Sequence, residues 1–248
     1  MNFIDQAEEG FVKKINSQKN DVLNNNKIIL TKFLNLREQE LYKFVIGKSL
    51  NLYFSNVSQQ DESKRALLSS FELTPDFNIS ILKLDYNKKY LEINHRMILG
   101  NIMSLQIERN MIGDILISDK SCYIIVSKEI KDVIINEIKS INHTPVSFIE
   151  VDSIEGDFSP KLKEKKLFLS SLRIDLVLAN AYNISRNEIQ EIIDKKDVKI
   201  NQRVITNHIT EVKENDIISL AHHGRIKILN IGSLSRSGKI IVDIGEYV

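Results

Sequence analysis

Between residues 75 and 151 the spacing of apolar side chains switches repeatedly between a strand period and a helix period. The stretches ISILKLDY, DILIS, CYIIVS and VSFIEV carry short apolar runs or alternations of the kind that form half-buried or buried strands. HRMILGNIMSLQ and KEIKDVIINEIKSI carry helical spacing, the latter through Ile130, Val133, Ile134 and Ile138. The order is βαββαβ, that of the ferredoxin-like split βαβ unit, which RNA-recognition motifs also use.

On either side the pattern differs. Residues 1 to about 72 read mainly helical, with apolar spacing at Ile29, Leu30, Phe33 and Leu34. Asn35-Leu36-Arg37-Glu38 predicts a capped helix start, and Leu41, Phe44 and Val45 would form that helix's inner face. NLYFSN then alternates as a strand does. Beyond residue 170 two short helices follow one another. Ile174, Val177, Leu178 and Ala181 supply the apolar face of the first. Ser185 opens the second, with Glu188 three residues on completing an S-x-x-E capping box, and Ile189, Ile192 and Ile193 form its stripe. The strands VKI, RVI, DIISL and RIKIL provide the layer these helices need.

The expected fold class is therefore α+β in three small domains. A mixed α/β domain occupies residues 1–74, a ferredoxin-like (RRM-like) domain 75–152, and a two-helix plus β-sheet domain 171–248. The polar stretch 153–170, SIEGDFSPKLKEKKLFLS, reads as a basic linker whose Lys161, Lys163, Lys165 and Lys166 are either solvated or in contact with phosphates.

Charge adds a direction. The whole chain carries +1, yet from residue 161 onward 15 Lys and Arg face 11 Asp and Glu, while the preceding 160 residues are net −3. A positive domain on a slightly acidic body points to a polyanion. The basic residues are also grouped. Arg173 begins the first helix and Arg186 lies in the first turn of the second, where free N–H groups and the helix dipole favour phosphate oxygens. Lys195 and Lys196 follow that helix, and Lys199 and Arg203 flank a turn at Asn201-Gln202. Side-by-side packing of the helices would line a groove with them; a solvated face with incidental salt bridges is the alternative.

Catalytic and metal chemistry find little support. The single cysteine, Cys122, lies in a strand-like run and reads as a small core residue; it permits no internal disulfide, as expected of a reducing cytoplasm. No run approaches a membrane span, and the acidic, polar start MNFIDQAEEG shows no secretory signal. His222-His223 would point to opposite faces of a strand, which disfavours a shared metal. Ser185 lacks a His/Asp relay, and His95 reads as a helix-start residue, with Arg96 beside it a second candidate for phosphate. The middle strands offer Tyr123 and Tyr86 as stacking aromatics and otherwise Ile, Leu and Val, so a structural or protein-contacting role is favoured there.

Residues 171–230 resemble the RNA-binding S-four domain, named after the fourth small-subunit ribosomal protein. The resemblance rests on S-L-R-I-D with Leu178, on I-S-R with Gln190 and Ile193, on D-K-K-D-V-K-I-N, and on V-K-E-N-D-I-I-S. It implies that Arg173, Ser185, Arg186, Lys195, Lys196, Lys199, Asn201 and Arg203 lie at or near an RNA surface, with Asp175 orienting a nearby arginine and Gln190 either in contact or solvated. The family usually has glycine where Lys196 and Gln202 stand, so those turns should accept side chains at positive φ. It often carries arginine at the place of Ala221, leaving Arg225 as the basic group there.

L-x-x-R-E-Q from Leu34, S-K-R-A from Ser63, H-R-M-I-L-G from His95 and I-G-D-I from Ile112 extend the resemblance to the YlmH family of bacterial proteins over nearly all 248 residues. That resemblance implies a non-enzymatic factor binding rRNA, and tRNA as a further expectation, on the ribosome. It implies the large subunit, quality control of stalled peptidyl-tRNA complexes, and a link to cell division.

The alternatives are a pseudouridine synthase-like RNA-modifying enzyme, or a protein-docking factor in which residues 1–152 hold a protein partner. Against the enzyme, no G-R-L-D-like motif occurs upstream, about twenty residues follow the S-four region, and Gly100 and Gly113 make no G-x-G-x-x-G. No cofactor, no metal and no membrane are expected, and the expected location is the cytoplasm.

Overall fold

The computed structural model describes residues 4, 6–59 and 61–247. It divides into two compact units, residues 1–158 and 159–248.

In the first unit, helices α1 (Glu9–Asn25) and α2 (Leu36–Ile46) pack on a three-stranded antiparallel sheet of β1 (Ile29–Leu34), β2 (Asn51–Phe54) and β3 (Lys64–Ser69), in the order β1-β3-β2. Asn35 caps α2 as expected. Its side chain accepts from the Glu38 N–H at 3.0 Å and the Glu38 carboxylate accepts from the Asn35 N–H at 2.8 Å. Leu41 is buried, but Phe44 is 56% exposed; Tyr42 and Ile46 take its expected place in the core.

The expected helix through Ile29–Leu34 is instead β1. Its apolar residues fall on both faces because both faces are covered. Leu34 packs into the core under α1 and α2, and Phe33 packs with Leu116, Tyr123, Ile125 and Phe158 on the other side. A register shift between Leu30 and Phe33 breaks the simple alternation.

The middle region has the expected βαββαβ order with one short strand, Ser140–Ile141, added before the last. Strands β4 (Ile79–Tyr86), β5 (Ile112–Ile117), β6 (Cys122–Ser127), β7 (Ser140–Ile141) and β8 (Thr144–Val151) form a five-stranded antiparallel sheet, order β5-β6-β4-β8-β7. Helices α3 (His95–Met103) and α4 (Lys131–Glu137) lie on one face of it. In α4 Ile134 is buried, whereas Val133 is 44% exposed and does not face the core.

The other face is closed by the N-terminal region, in the cluster built around Phe33, Tyr123 and Phe158. Tyr123 meets Phe158 edge to face, centroids 5.6 Å apart. Polar bonds fix the same junction. The Asp114 carboxylate accepts from the Glu62 and Ser63 N–H groups, each at 2.9 Å, and Arg65 donates to the carbonyls of Thr31 and Asn78. Residues 1–158 are thus one unit, not two separately packed domains. Cys122 is fully buried in the helix-side core, and burial pushes its thiol up to about 12.

The second unit is a six-stranded antiparallel sheet covered by α5 (Ile174–Tyr182) and α6 (Arg186–Asp194). Its strands are β9 (Leu162–Leu169), β10 (Val198–Ile200), β11 (Arg203–Val204), β12 (Ile217–Leu220), β13 (Gly224–Leu234) and β14 (Ile240–Tyr247), in the order β11-β10-β12-β13-β14-β9. Val177, Leu178, Ile189 and Ile193 from the helices meet Val198, Ile218, Ile226, Val242 and Ile244.

Strand β9 corrects the expected linker: residues 162–169 pair along their length with β14. Leu167 and Leu169 point into the core while charges occupy much of the rest, so lysine density masked the strand. Gly245 allows its approach, since a Cβ there would stand 2.9 Å from Leu162.

Candidate nucleic-acid interface

Arg173 is the N-cap residue of α5, and its backbone bridges to Glu211. Two positions on, Asp175 turns its side chain inward and is fully buried. A buried carboxylate must be neutralised or fully hydrogen-bonded. Here Arg173 donates through Nε to Oδ1 at 3.2 Å and through Nη2 to Oδ2 at 2.9 Å. Arg186 donates through Nε at 2.8 Å and Gln190 through Nε2 at 2.9 Å, both to Oδ2. Burial alone would push the Asp175 carboxyl up; the bonds from Gln190, Arg186 and Arg173 outweigh it and hold it below the ordinary carboxylate value.

One carboxylate thereby fixes two guanidinium groups side by side at the start of α5 and of α6. Both remain open to solvent, Arg186 by 45% and Arg173 by 32% of the side chain. Both Nη groups of Arg186 are uncommitted among the described residues, which leaves the geometry suited to a two-pronged grip on phosphate. Arg173 is more deeply tied in than its expected free exposure.

Ser185 caps α6, its hydroxyl accepting from the Glu188 N–H at 3.2 Å. The return bond of the expected capping box is not seen among the described residues. Ser185 itself is exposed beside Arg186.

The other expected residues form a second group. Lys195 and Lys196 leave the C-terminal end of α6, nine residues and about 13 Å along the axis from Arg186. They neighbour the β10–β11 hairpin, which carries Lys199, Asn201 and Arg203. Lys195, Lys196 and Lys199 are exposed, with no side-chain partner among the described residues. Asn201 is occupied structurally: its side chain donates to Asp216 at 2.8 Å and accepts from the Ile217 N–H at 2.9 Å. Lys196 and Gln202 adopt φ of 64° and 69°, the left-handed backbone expected where a glycine is usual.

The arginine pair and the lysine hairpin are therefore two clusters at opposite ends of α6. Gln190, left open as solvated or in contact, belongs to the arginine cluster. Its spacing of four from Arg186 puts both on one helix face, a signal present in the sequence. Of the lysines in the expected linker, Lys165 is committed to the helix end, donating to the carbonyls of Ala181 and Asn180 at 2.5 and 3.3 Å.

The remaining candidates resolve simply. Tyr123 is 2% exposed and is no stacking platform. His95 Nε2 bonds the Ile115 carbonyl at 2.8 Å at the start of α3. His222 and His223 sit in a turn, with the His223 ring 5.8 Å from that of Tyr182. Among the described residues no group of three or more His, Cys, Asp or Glu is placed to hold a metal. No helix among them is long and apolar enough to cross a membrane.

Residues 172–218 match the S4 domain, and residues 73–155 match the family described as "Putative RNA-binding domain in YlmH". The chain is 28% identical over 237 residues to the "Ribosome-associated protein quality control protein P2" of Bacillus subtilis (strain 168), covering 94% of this chain and 92% of that one. Among solved structures, the "Cell division protein ylmH from Streptococcus pneumoniae" shares the fold with a TM-score of 0.55 at 23% identity, over 61% of this chain and 95% of that one.

The fold and the matched domains thus define an RNA-binding protein that carries a domain of the S-four class. Within that class, the two domain types in this order and a relative aligned along almost the whole chain make it similar to the YlmH proteins.

Proposed function

We propose that this chain is a non-enzymatic, cytoplasmic RNA-binding factor that acts on the ribosome. It holds rRNA of the large subunit, and tRNA with it, in quality control of stalled peptidyl-tRNA complexes. The observation that carries the reading is the Asp175-centred arginine pair, two guanidinium groups held in register on the C-terminal unit, where 15 Lys and Arg face 11 Asp and Glu. The named role of the Bacillus subtilis relative supports the ribosomal setting, and the name of the Streptococcus pneumoniae protein supports a link to cell division. Ser185 and Arg186 would meet RNA with the Arg173 guanidinium. Lys195, Lys196, Lys199 and Arg203 would hold a second stretch of backbone, with Asn201 shaping the hairpin that presents two of them.

A second reading concerns residues 1–158. The sheet face on which RNA-recognition motifs stack bases is buried here under Phe33 and Phe158. This favours protein docking by that unit over base reading on its sheet.

Co-sedimentation with separated ribosomal subunits across a salt series tests the main reading. Wild type should bind the large subunit in a salt-sensitive manner, and Arg186→Ala should bind at least tenfold more weakly, since charged hydrogen bonds are worth about 1.5–3 kcal/mol. Equal binding by the variant would remove Arg186 from the interface.

A further inference from the structure

From Ile217 to Val242 the chain contains no Asp or Glu, while Arg225, Lys227, Arg236 and Lys239 all fall within it. The last two lie at the tip of the β13–β14 hairpin, Ser235-Arg236-Ser237-Gly238-Lys239. This tip is built. The Ser235 N–H donates to the Lys239 carbonyl at 2.7 Å, the Gly238 N–H to the Ser235 carbonyl at 2.9 Å, and the Lys239 N–H to the Ser235 hydroxyl at 3.0 Å. Gly238 supplies the positive φ, 74°, that closes the turn. Both cationic side chains are exposed and have no partner among the described residues. An ordered turn that presents two uncompensated charges spends less entropy on capturing a ligand than a mobile loop does.

The sheet register says where the tip points. Strand β12 pairs only with the first part of β13, Gly224 to Lys227, so the distal part runs on beyond it. Leu234 pairs with Ile240, and Ile240 with Leu169 at the end of β9. Four residues after Leu169 comes Arg173. The tip and the arginine pair therefore lie at one end of the sheet. Asn201 meets β12 at Ile217, whose partner on β13 is Lys227. From there to Leu234 is seven residues, about 23 Å along the strand.

We propose that the β13–β14 tip is a second phosphate-binding element, in which Arg236 and Lys239 take the sugar–phosphate backbone of the same RNA held at Arg173 and Arg186. This rests on the RNA-binding reading above and extends its footprint to the far end of the hairpin. The ligand class is an RNA backbone, because a forked and a point cation in a tip with no aromatic side chain, beside the exposed Leu234, recognise phosphate and not sequence.

The test uses the full chain and purified bacterial ribosomes as the probe, with affinity measured across a salt series for wild type, Arg186→Ala, and the double variant Arg236→Gln/Lys239→Gln. Loss of two phosphate contacts should reduce the slope of log affinity against log salt by about 1.4–1.8 and weaken binding roughly tenfold near 0.15 M salt. The charge-preserving pair Arg236→Lys/Lys239→Arg should restore both. If wild type and Arg186→Ala differ while the double variant keeps the wild-type slope, the tip contacts no phosphate and this inference falls alone. A weaker double variant with an unchanged slope likewise overturns the phosphate assignment. Absence of any salt-sensitive binding by wild type removes the ribosomal reading, and this one with it.

Discussion

At Asp175 a carboxylate lies beneath a surface expected to meet a polyanion, an arrangement that would repel its ligand if the charge were open. Burial and four donated bonds remove that objection and turn the group into an anchor. Replacing Asp175 by Asn keeps the size but leaves two guanidinium groups without a counter-charge, at a cost of about 3 kcal/mol. The thermal midpoint of the C-terminal unit should fall by roughly 10 °C or more, and RNA binding should weaken with it. The sign with pH follows from the lowered carboxyl. The contribution is present above the unfolded value of about 3.9, declines as pH drops through it, and is gone below the still lower folded value. Acid titration of Asp175→Asn should therefore be flatter than that of wild type. The two arginines should also separate: Arg186→Ala removes mainly binding, whereas Arg173→Ala, at a less exposed side chain with two bonds to Asp175, should lower stability too.

The β10–β11 hairpin turns through Asn201 and Gln202, both at positive φ, the condition for a type I′ turn. Asparagine tolerates that backbone and glutamine does so poorly. Gln202→Gly should stabilise the protein by about 0.5–1 kcal/mol, read as a higher thermal midpoint, without weakening binding. The need for this backbone was legible in the sequence, because the S-four pattern has glycine there. The capped helices α2 and α6 were legible too, since caps are local chemistry. Two strands were not. In β1, burial on both faces gave a spacing that mimics a helix, and in β9 a run of charged residues hid the alternation. Of the candidate site, the residue types and the ends of α6 they occupy were legible, but their separation into two clusters instead of one groove was not, because it depends on how α5 packs against α6.

Over the whole molecule, the division falls after Phe158, and the N-terminal and ferredoxin-like regions are fused across a shared core. Sequence periodicity marks elements but not which sheet face a distant segment will cover, so this fusion could not be read in advance. Gly113 sits at that seam: a Cβ there would stand 2.8 Å from the Phe33 ring. Gly113→Ala should cost about 1–3 kcal/mol through overpacking, seen as a lower midpoint for the first unit with RNA affinity of the second preserved. The core on the other, helix-covered face of that sheet encloses the only cysteine of the chain, and burial pushes its thiol up to about 12. Thiolate is the reacting species and this thiol is fully buried, so Cys122 should label with a maleimide far more slowly than a free surface thiol. The natural protein is thus a blank for thiol chemistry. A single Ser237→Cys would accept one fluorophore at the hairpin tip, and its distance to a labelled ribosome could be followed with no background to remove.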